Sequence, residues 1–213
     1  MTAFDFLTIG HSNIVADRFV AMLGAAGAGA IADVRTTPFS RFCPWFSGKS
    51  LKPLLEQNGF AYLPYGAALG GRPQSPGLYC DGIADYEAMA QQGDFQAGLD
   101  RLAADAASIG PRGRICLMCA EREPLDCHRC LLVARMLAAR GASVGHILHG
   151  GTVEPHAATE QRLLTLAGDD GDLFASGLEA RIAAAYRRRA RAVAYRTKGT
   201  TPTKGARVAQ ESR

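Results

Sequence analysis

The chain has 213 residues, 47% hydrophobic and 21% charged, an ordinary globular mixture long enough to bury one substantial core. Its net charge of +4 hides a split: residues 181–213 carry ten Lys/Arg and only Glu211, leaving 14 Lys/Arg against 19 Asp/Glu in residues 1–180. No run reaches the roughly 18 to 20 uninterrupted apolar residues of a membrane span, and no basic stretch followed by an apolar run opens the chain. A cytoplasmic location is therefore expected, with the six cysteines as reduced thiols rather than a disulfide framework.

Apolar runs of strand length alternate with amphipathic segments of helix length, which predicts an α/β fold: a mainly parallel sheet of about five strands with helices on both faces. A strand at Phe6–Gly10 leads into a helix over Ile14–Gly24, with Ser12 or Asn13 as its cap. A strand at Ala30–Val34 is followed by a loop over residues 36–47 that gathers Phe39, Phe42, Trp45 and Phe46 around Arg35 and Arg41, able to stack bases or to pack as a satellite cluster. Then come a helix over Ser50–Gln57, a strand at Ala61–Leu63 and a Gly- and Pro-rich connection over residues 64–82, long enough to suggest a functional loop. Helices over Ile83–Gln91 and Phe95–Ser108, the second capped by Asp94, precede a strand at Arg114–Cys119. A helix over Cys127–Arg140, capped by Asp126, and a strand at Ser143–Leu148 complete an α/β domain of residues 1–156. A helical extension over residues 157–196 follows, with helices at His156–Leu166 and from Leu173 to Tyr195. Residues 197–213 read as a disordered basic tail.

Open parallel sheets bind ligands outside the carboxyl ends of their strands. That rule selects His11 and Ser12 after the first strand, Asp33 and Arg35 at the second, and Cys119 and Glu121 at the strand beginning with Arg114. The start of the next helix adds Cys127, His128 and Arg129, where free N–H groups attract anions and lower the pKa of a thiol. In this reading Glu121 is a general acid or base, Cys119 or Cys127 a nucleophile or polarising group, and His11 a second proton carrier. Arg35 and Arg129 clamp an anion, with Ser12, Asp33, Arg72 and His128 also touching substrate and the loop at Gly70 and Gly71 closing over it.

Cys116 and Cys130 read as core residues, while Cys43 and Cys80 are loop positions. A four-thiolate metal site from Cys116, Cys119, Cys127 and Cys130 is excluded, because side chains three apart on a strand point to opposite faces. A smaller set drawn from Cys119, Cys127, His128 and His11 stays open, but no metal and no cofactor is assigned. His146 reads as a satisfied sheet histidine, and His149 and His156 as surface residues.

Together, Thr8-Ile9-Gly10-His11-Ser12, Asp33-Val34-Arg35, Pro38 with Ser40, Leu69-Gly70-Gly71-Arg72, Tyr79, Asp85-Tyr86, Leu117-Met118-Cys119-Ala120-Glu121, Cys127-His128-Arg129 and His146-Ile147 form an ordered series. The series resembles the signatures of a bacterial family catalogued as domain of unknown function 488, across roughly residues 5–156. The resemblance implies a compact α/β domain and leaves the reaction open. A weaker similarity, through Asp33-Val34-Arg35, Cys119, Arg129, Leu131 to Ala134 and Gly150-Gly151, is to rhodanese-like sulfurtransferases, and would make Cys119 the persulfide carrier. The spacing from Cys119 to Arg129 is longer here than in that family.

In the basic extension, Arg187, Arg188, Arg189 and Arg191 lie close together on one helix, a density that binds polyanions through counterion release. The leading expectation is a thiol- and carboxylate-dependent hydrolase or transferase whose partner is an anionic, phosphate-bearing small molecule or nucleic acid, with no role for a membrane. The alternatives are a non-catalytic nucleic-acid-binding module with a structural or metal-bound Cys/His cluster, and a rhodanese-like sulfurtransferase.

Overall fold

The computed structural model describes residues 4–168 and 177–197. Five strands run parallel: β1 (Phe6–Gly10), β2 (Ala28–Asp33), β3 (Ala61–Pro64), β6 (Arg114–Cys119) and β7 (Val144–Ile147). Between β3 and β6 a separate two-stranded hairpin pairs β4 (Tyr79–Cys80) with β5 (Ile83–Ala84). A short strand β8 (Val153–Pro155) adds antiparallel to β7, so the main sheet has six strands in the order β3-β2-β6-β1-β7-β8.

Alternation along the strands sorts the core into two layers. Leu7 and Ile9 of β1 and Cys116 and Met118 of β6 face α1 (Ala16–Ala25) and α2 (Gly48–Gln57), packing with Phe19, Leu23, Leu51 and Leu55. Ile115, Leu117 and Cys119 face the other way, onto a layer built from α3 (Gly66–Leu69), α4 (Tyr86–Ala90), α5 (Gly93–Ile109), α6 (Arg135–Ala139), α7 (His156–Leu166) and α8 (Leu178–Val193). Cys116 and Cys119 are therefore on opposite faces, as their spacing requires, and Cys116 and Cys130 are fully buried. Among the described residues no helix is long and apolar enough to cross a membrane.

Several local expectations need correction. The helix expected over Ile83–Gln91 begins as β5, because Asp81 and Gly82 take φ of 53° and 70° and fold a tight turn between β4 and β5. Helix α4 starts only after Asp85, whose carboxylate accepts the N–H groups of Glu87 and Ala88 at 3.0 and 3.1 Å. The other proposed caps do not act as such: α1 follows Val15, Asp94 lies inside the first turn of α5, and Asp126 closes a 3-10 turn over Pro124–Asp126. The helix expected over Cys127–Arg140 opens with a π-helical turn at Arg129–Ala134 before α6.

His156, expected at the surface, is buried. Its ring closes a chain of hydrogen bonds in which Thr8 meets His146 at 2.8 Å, His146 meets His156 at 2.9 Å, and His156 meets the Tyr186 hydroxyl of α8 at 3.0 Å. The helix expected from Leu173 is seen from Leu178; residues 173–176, and the tail from residue 198, lie outside the described residues.

Candidate active site

The loop after β6 crosses the end of β1, where Ser12 N–H and His11 N–H donate to the Ala120 and Cys119 carbonyls, each at 2.9 Å. The crossing needs a glycine below it: a Cβ on Gly10 would stand 1.8 Å from the Glu121 carbonyl oxygen. This path turns the Glu121 carboxylate back toward the strand it has just left. Its Oε2 lies 2.9 Å from Cys119 Sγ and 3.1 Å from Cys127 Sγ.

The chain then makes the 3-10 turn at Pro124–Asp126 and brings Cys127 and His128 to the same spot just before the π-helical turn begins at Arg129. Such turns recur at functional sites. His128 Nδ1 lies 3.7 Å from Cys119 Sγ and 3.8 Å from Cys127 Sγ, and the Arg129 N–H donates to Cys127 Sγ at 3.4 Å. The His128 ring is fixed from behind, since Nε2 donates to the Val34 carbonyl at 2.9 Å. Gly71 presses on its other side, where a Cβ would come within 2.7 Å of the ring.

Four donors thus converge: two buried thiols, a buried imidazole and the carboxylate of Glu121, a residue exposed at the rim. They cannot all be charged at once. Burial pushes the Cys119 thiol up, and Cys127 and Glu121 push it the same way. Burial opposes ionisation of Cys127 too, but the hydrogen bond from Cys119 and the charges of Arg129 and His128 prevail and carry it well down. Burial and the charge of Cys127 raise Glu121, while for His128 the neighbouring Cys127 and Glu121 outweigh the downward pull of burial. Between the two thiols, negative charge is therefore favoured on Cys127 over Cys119.

The cluster forms the floor of a cavity of about 310 Å³. Arg35, Gly71 and exposed Arg72 stand in its walls with Thr36, Thr37 and Phe39 of the loop after β2 and with Tyr86 of α4. Val193 and Tyr195, from the end of α8 and the segment after it, complete the lining, and Arg72 lies over the Tyr195 ring at 4.9 Å. The sequence reading missed these two residues, whose placement depends on α8 folding back onto the sheet.

Other expected site residues serve the scaffold. Asp33 is buried and binds Arg35 through Oδ1 at 2.8 Å and Oδ2 at 2.6 Å, while the Tyr62 hydroxyl donates to Oδ2 at 2.9 Å. His11 stacks on Phe46 at 4.2 Å behind Arg35, with Nε2 3.1 Å from Nη1 of that guanidinium. Burial pulls its pKa down to about 4, so the ring is neutral and accepts from Arg35 while Nδ1 donates to the Ser12 carbonyl. Ser12 holds a turn at φ 45°. Arg129 is fully buried beneath the loop, donating to the Glu121 and Arg122 carbonyls at 2.6 and 3.2 Å, and does not line the cavity. Gly70 packs against the Gly66 carbonyl and Thr36. Of the loop aromatics, Phe46 is core, whereas Phe39 and Phe42 are exposed.

Fold and site define an α/β domain with a mainly parallel six-stranded sheet and a cysteine, carboxylate and histidine cluster at its carboxyl edge. The family model described as domain of unknown function DUF488 matches residues 15–136, more than half of the chain, and the chain belongs to that family. No curated protein and no solved structure matches it. The likeness to rhodanese-like sulfurtransferases gains no support from these comparisons.

Proposed function

We propose that the protein is an enzyme, a hydrolase or transferase, that acts on an anionic, phosphate-bearing substrate held in this cavity, a nucleotide or a nucleic-acid end. The observation that carries the reading is the convergence of Cys119, Cys127, His128 and Glu121 on the floor of a cavity with Arg72 and Arg35 in its walls. Reactive groups and cations facing one concave space are the arrangement that acid–base chemistry on an anion requires.

Arg72 supplies the anion contact, because the Arg35 guanidinium already spends two N–H groups on Asp33 and a third on His11. Glu121 moves the proton: it stands at the rim, within reach of both thiols and of the open space. Cys127 is the nucleophile or polarising group, set at the start of a helix with a backbone N–H on its sulfur. The α8 arginines support an enzyme over a binding module, since Arg187, Arg189 and Arg191 face Glu87, Asp126 and Asp81 of the same chain.

Turnover on a panel of nucleotides and short nucleic acids tests the reading. Glu121→Gln is expected to lower kcat about 100-fold or more, and Arg72→Ala to raise KM about tenfold with a smaller change in kcat. A substrate turned over equally well by both variants would remove the assigned roles.

A further inference from the structure

We propose that Cys119, Cys127, His128 and Glu121 bind one divalent transition-metal ion, zinc by the chemistry of the donors, in a tetrahedral site whose Glu121 position is exchangeable. The four donor atoms lie within 4.8 Å of one another. With metal–sulfur bonds of about 2.3 Å and metal–nitrogen bonds of about 2.0 Å, the sulfur-to-nitrogen edge of a tetrahedron is about 3.5 Å. The two such edges here are 3.7 and 3.8 Å. A sulfur-to-oxygen edge of about 3.5 Å is expected by the same reckoning, and the separations of 2.9 and 3.1 Å reach it by an outward shift of the Glu121 carboxylate into the cavity it lines.

The surroundings are those of a ligand set. A carbonyl oxygen only accepts, so the bond from His128 Nε2 to Val34 fixes the proton on Nε2 and leaves the Nδ1 lone pair aimed at the thiols. Arg129 supplies an independent observation. Its guanidinium is fully buried, donates only to carbonyls, leaves Nε without a partner and meets no carboxylate oxygen among the described residues. A buried cation of this kind calls for negative charge nearby, and the sulfurs of Cys127 and Cys119 are what face it. A divalent ion with two thiolates and one carboxylate carries one net negative charge, which Arg129 balances. Loading releases to solvent the protons that the thiols and His128 Nδ1 still carry.

Three ligands are buried and one is at the rim, so Cys119, Cys127 and His128 hold the ion while Glu121 opens a position to the cavity. That is the layout of a catalytic rather than a purely structural ion. The thiols then act as polarising ligands, and Glu121, once released, is free to take a proton. The inference does not rest on the identity of the substrate. The other convergent set, Cys130, His146 and His156, differs because its imidazoles are already bonded to Thr8, to each other and to Tyr186.

Full-length protein purified without chelator is expected to carry one equivalent of zinc by elemental analysis. Cobalt(II) added to the chelator-stripped protein should give thiolate-to-metal charge-transfer absorption and the intense visible bands of a tetrahedral ion. Cys119→Ser, Cys127→Ser and His128→Gln are each expected to weaken binding more than tenfold. Glu121→Gln should retain the ion with a changed visible spectrum, and Cys80→Ser, at an exposed cysteine outside the cluster, should alter neither. The site is overturned by wild-type protein that takes up no cobalt with a charge-transfer band, by a band that survives both cysteine substitutions, or by a Cys119–Cys127 disulfide in the isolated protein. Should the variants fail to fold, the wild-type titration decides alone. A metal-free protein that still turns over nucleotides would sink this inference and spare the functional one; a zinc protein inert on the whole panel would do the reverse.

Discussion

His128 donates from Nε2 to the carbonyl of Val34 at 2.9 Å, and that bond aims the opposite ring nitrogen at both thiols. Val34 directly follows β2, whereas Cys119 ends β6 and the two strands are neighbours in the sheet. The carboxyl edges of β2 and β6 are thus locked together through one imidazole, and the site inherits its precision from strand register rather than from a loop.

Gly71 holds the other side of that ring. Gly71→Ala places a methyl group 2.7 Å from the imidazole, and either the ring tilts or the loop retreats. Global stability should fall by about 1 to 3 kcal/mol, the usual cost of overpacking. Cobalt affinity and turnover should each drop about tenfold or more, because a tilted Nδ1 no longer faces the two sulfurs. Urea titration beside cobalt titration checks this, and a variant that is destabilised but binds cobalt normally would contradict it.

The Asp33 carboxylate carries the heaviest polar load at the edge of β2, taking Arg35 and Tyr62 at once in a buried setting. Asp33→Asn leaves the Arg35 charge uncompensated and is expected to cost about 3 to 5 kcal/mol. Tyr62→Phe removes one hydrogen bond from the same carboxylate and should cost about 1 kcal/mol. Comparing the two by urea unfolding tests the ranking; equal effects would show that Arg35 does not depend on Asp33.

Much of this was legible in the chain. Strands β1 and β6 announce themselves as apolar runs ending in chemistry-bearing residues; the carboxyl-edge rule picked out Cys119 and Glu121, and the start of the next helix Cys127 and His128. The rule does not say which of the selected side chains turn inward. Arg129 reads as an anion clamp because it falls at the start of a helix, where anions are attracted, but its guanidinium lies buried under the loop on the Glu121 and Arg122 carbonyls. The β4–β5 hairpin was hidden because Ile83, Tyr86 and Ala90 fall at helical spacing, and only the positive φ at Asp81 and Gly82 overrides that period. His156 read as a surface residue because its cover, Tyr186, comes from the distant helix α8.

Three histidines are buried in neutral form, which sets the acid limit of stability. Burial lowers His11 to about 4, with Arg35 adding to the effect and Asp33 and Glu121 opposing it. Burial also lowers His146, helped by His156, Arg129 and Arg162, and lowers His156 against the pull of Glu160. A folded value below the unfolded 6.5 means the unfolded chain binds more protons as pH drops. Stability from these groups is therefore complete above pH 6.5 and is lost as pH falls toward about 4. Urea unfolding of chelator-treated protein should show a decline steeper than the about 1.4 kcal/mol per pH unit that one histidine alone can produce. A flat profile between pH 7 and about 5 would disprove it.

The arginines of α8 make a prediction about polyanions. Arg187 and Arg189 reach Glu87 and Asp126, and Arg188 donates to the Ala167 carbonyl at 2.7 Å. Replacing Arg187 and Arg189 by Ala should cost about 1 kcal/mol or less each, as partly exposed ion pairs do. Binding of the full chain to random-sequence DNA, if governed by other cations, should keep its salt slope within about one unit of wild type. A fall of about two units would show that these arginines leave their carboxylates to meet phosphate.

The last wall of the cavity is carried by the segment after α8. Ala84 N–H donates to the Tyr195 carbonyl and Thr197 N–H to the Gly82 carbonyl, each at 2.9 Å, so the segment is stitched to β5 and its turn. That places the Tyr195 ring under the Arg72 guanidinium at 4.9 Å, within reach of a cation–π contact. Such contacts are worth about 0.5 to 1 kcal/mol when exposed, and the ring also limits where Arg72 swings. Tyr195→Ala should therefore leave urea stability within about 1 kcal/mol of wild type while weakening nucleotide binding about fivefold. Tyr195→Phe keeps the aromatic face and should restore most of the affinity. Isothermal titration of the three proteins with one nucleotide separates the cases: if Tyr195→Ala binds as tightly as wild type, the segment is a structural strap and Arg72 is placed without it.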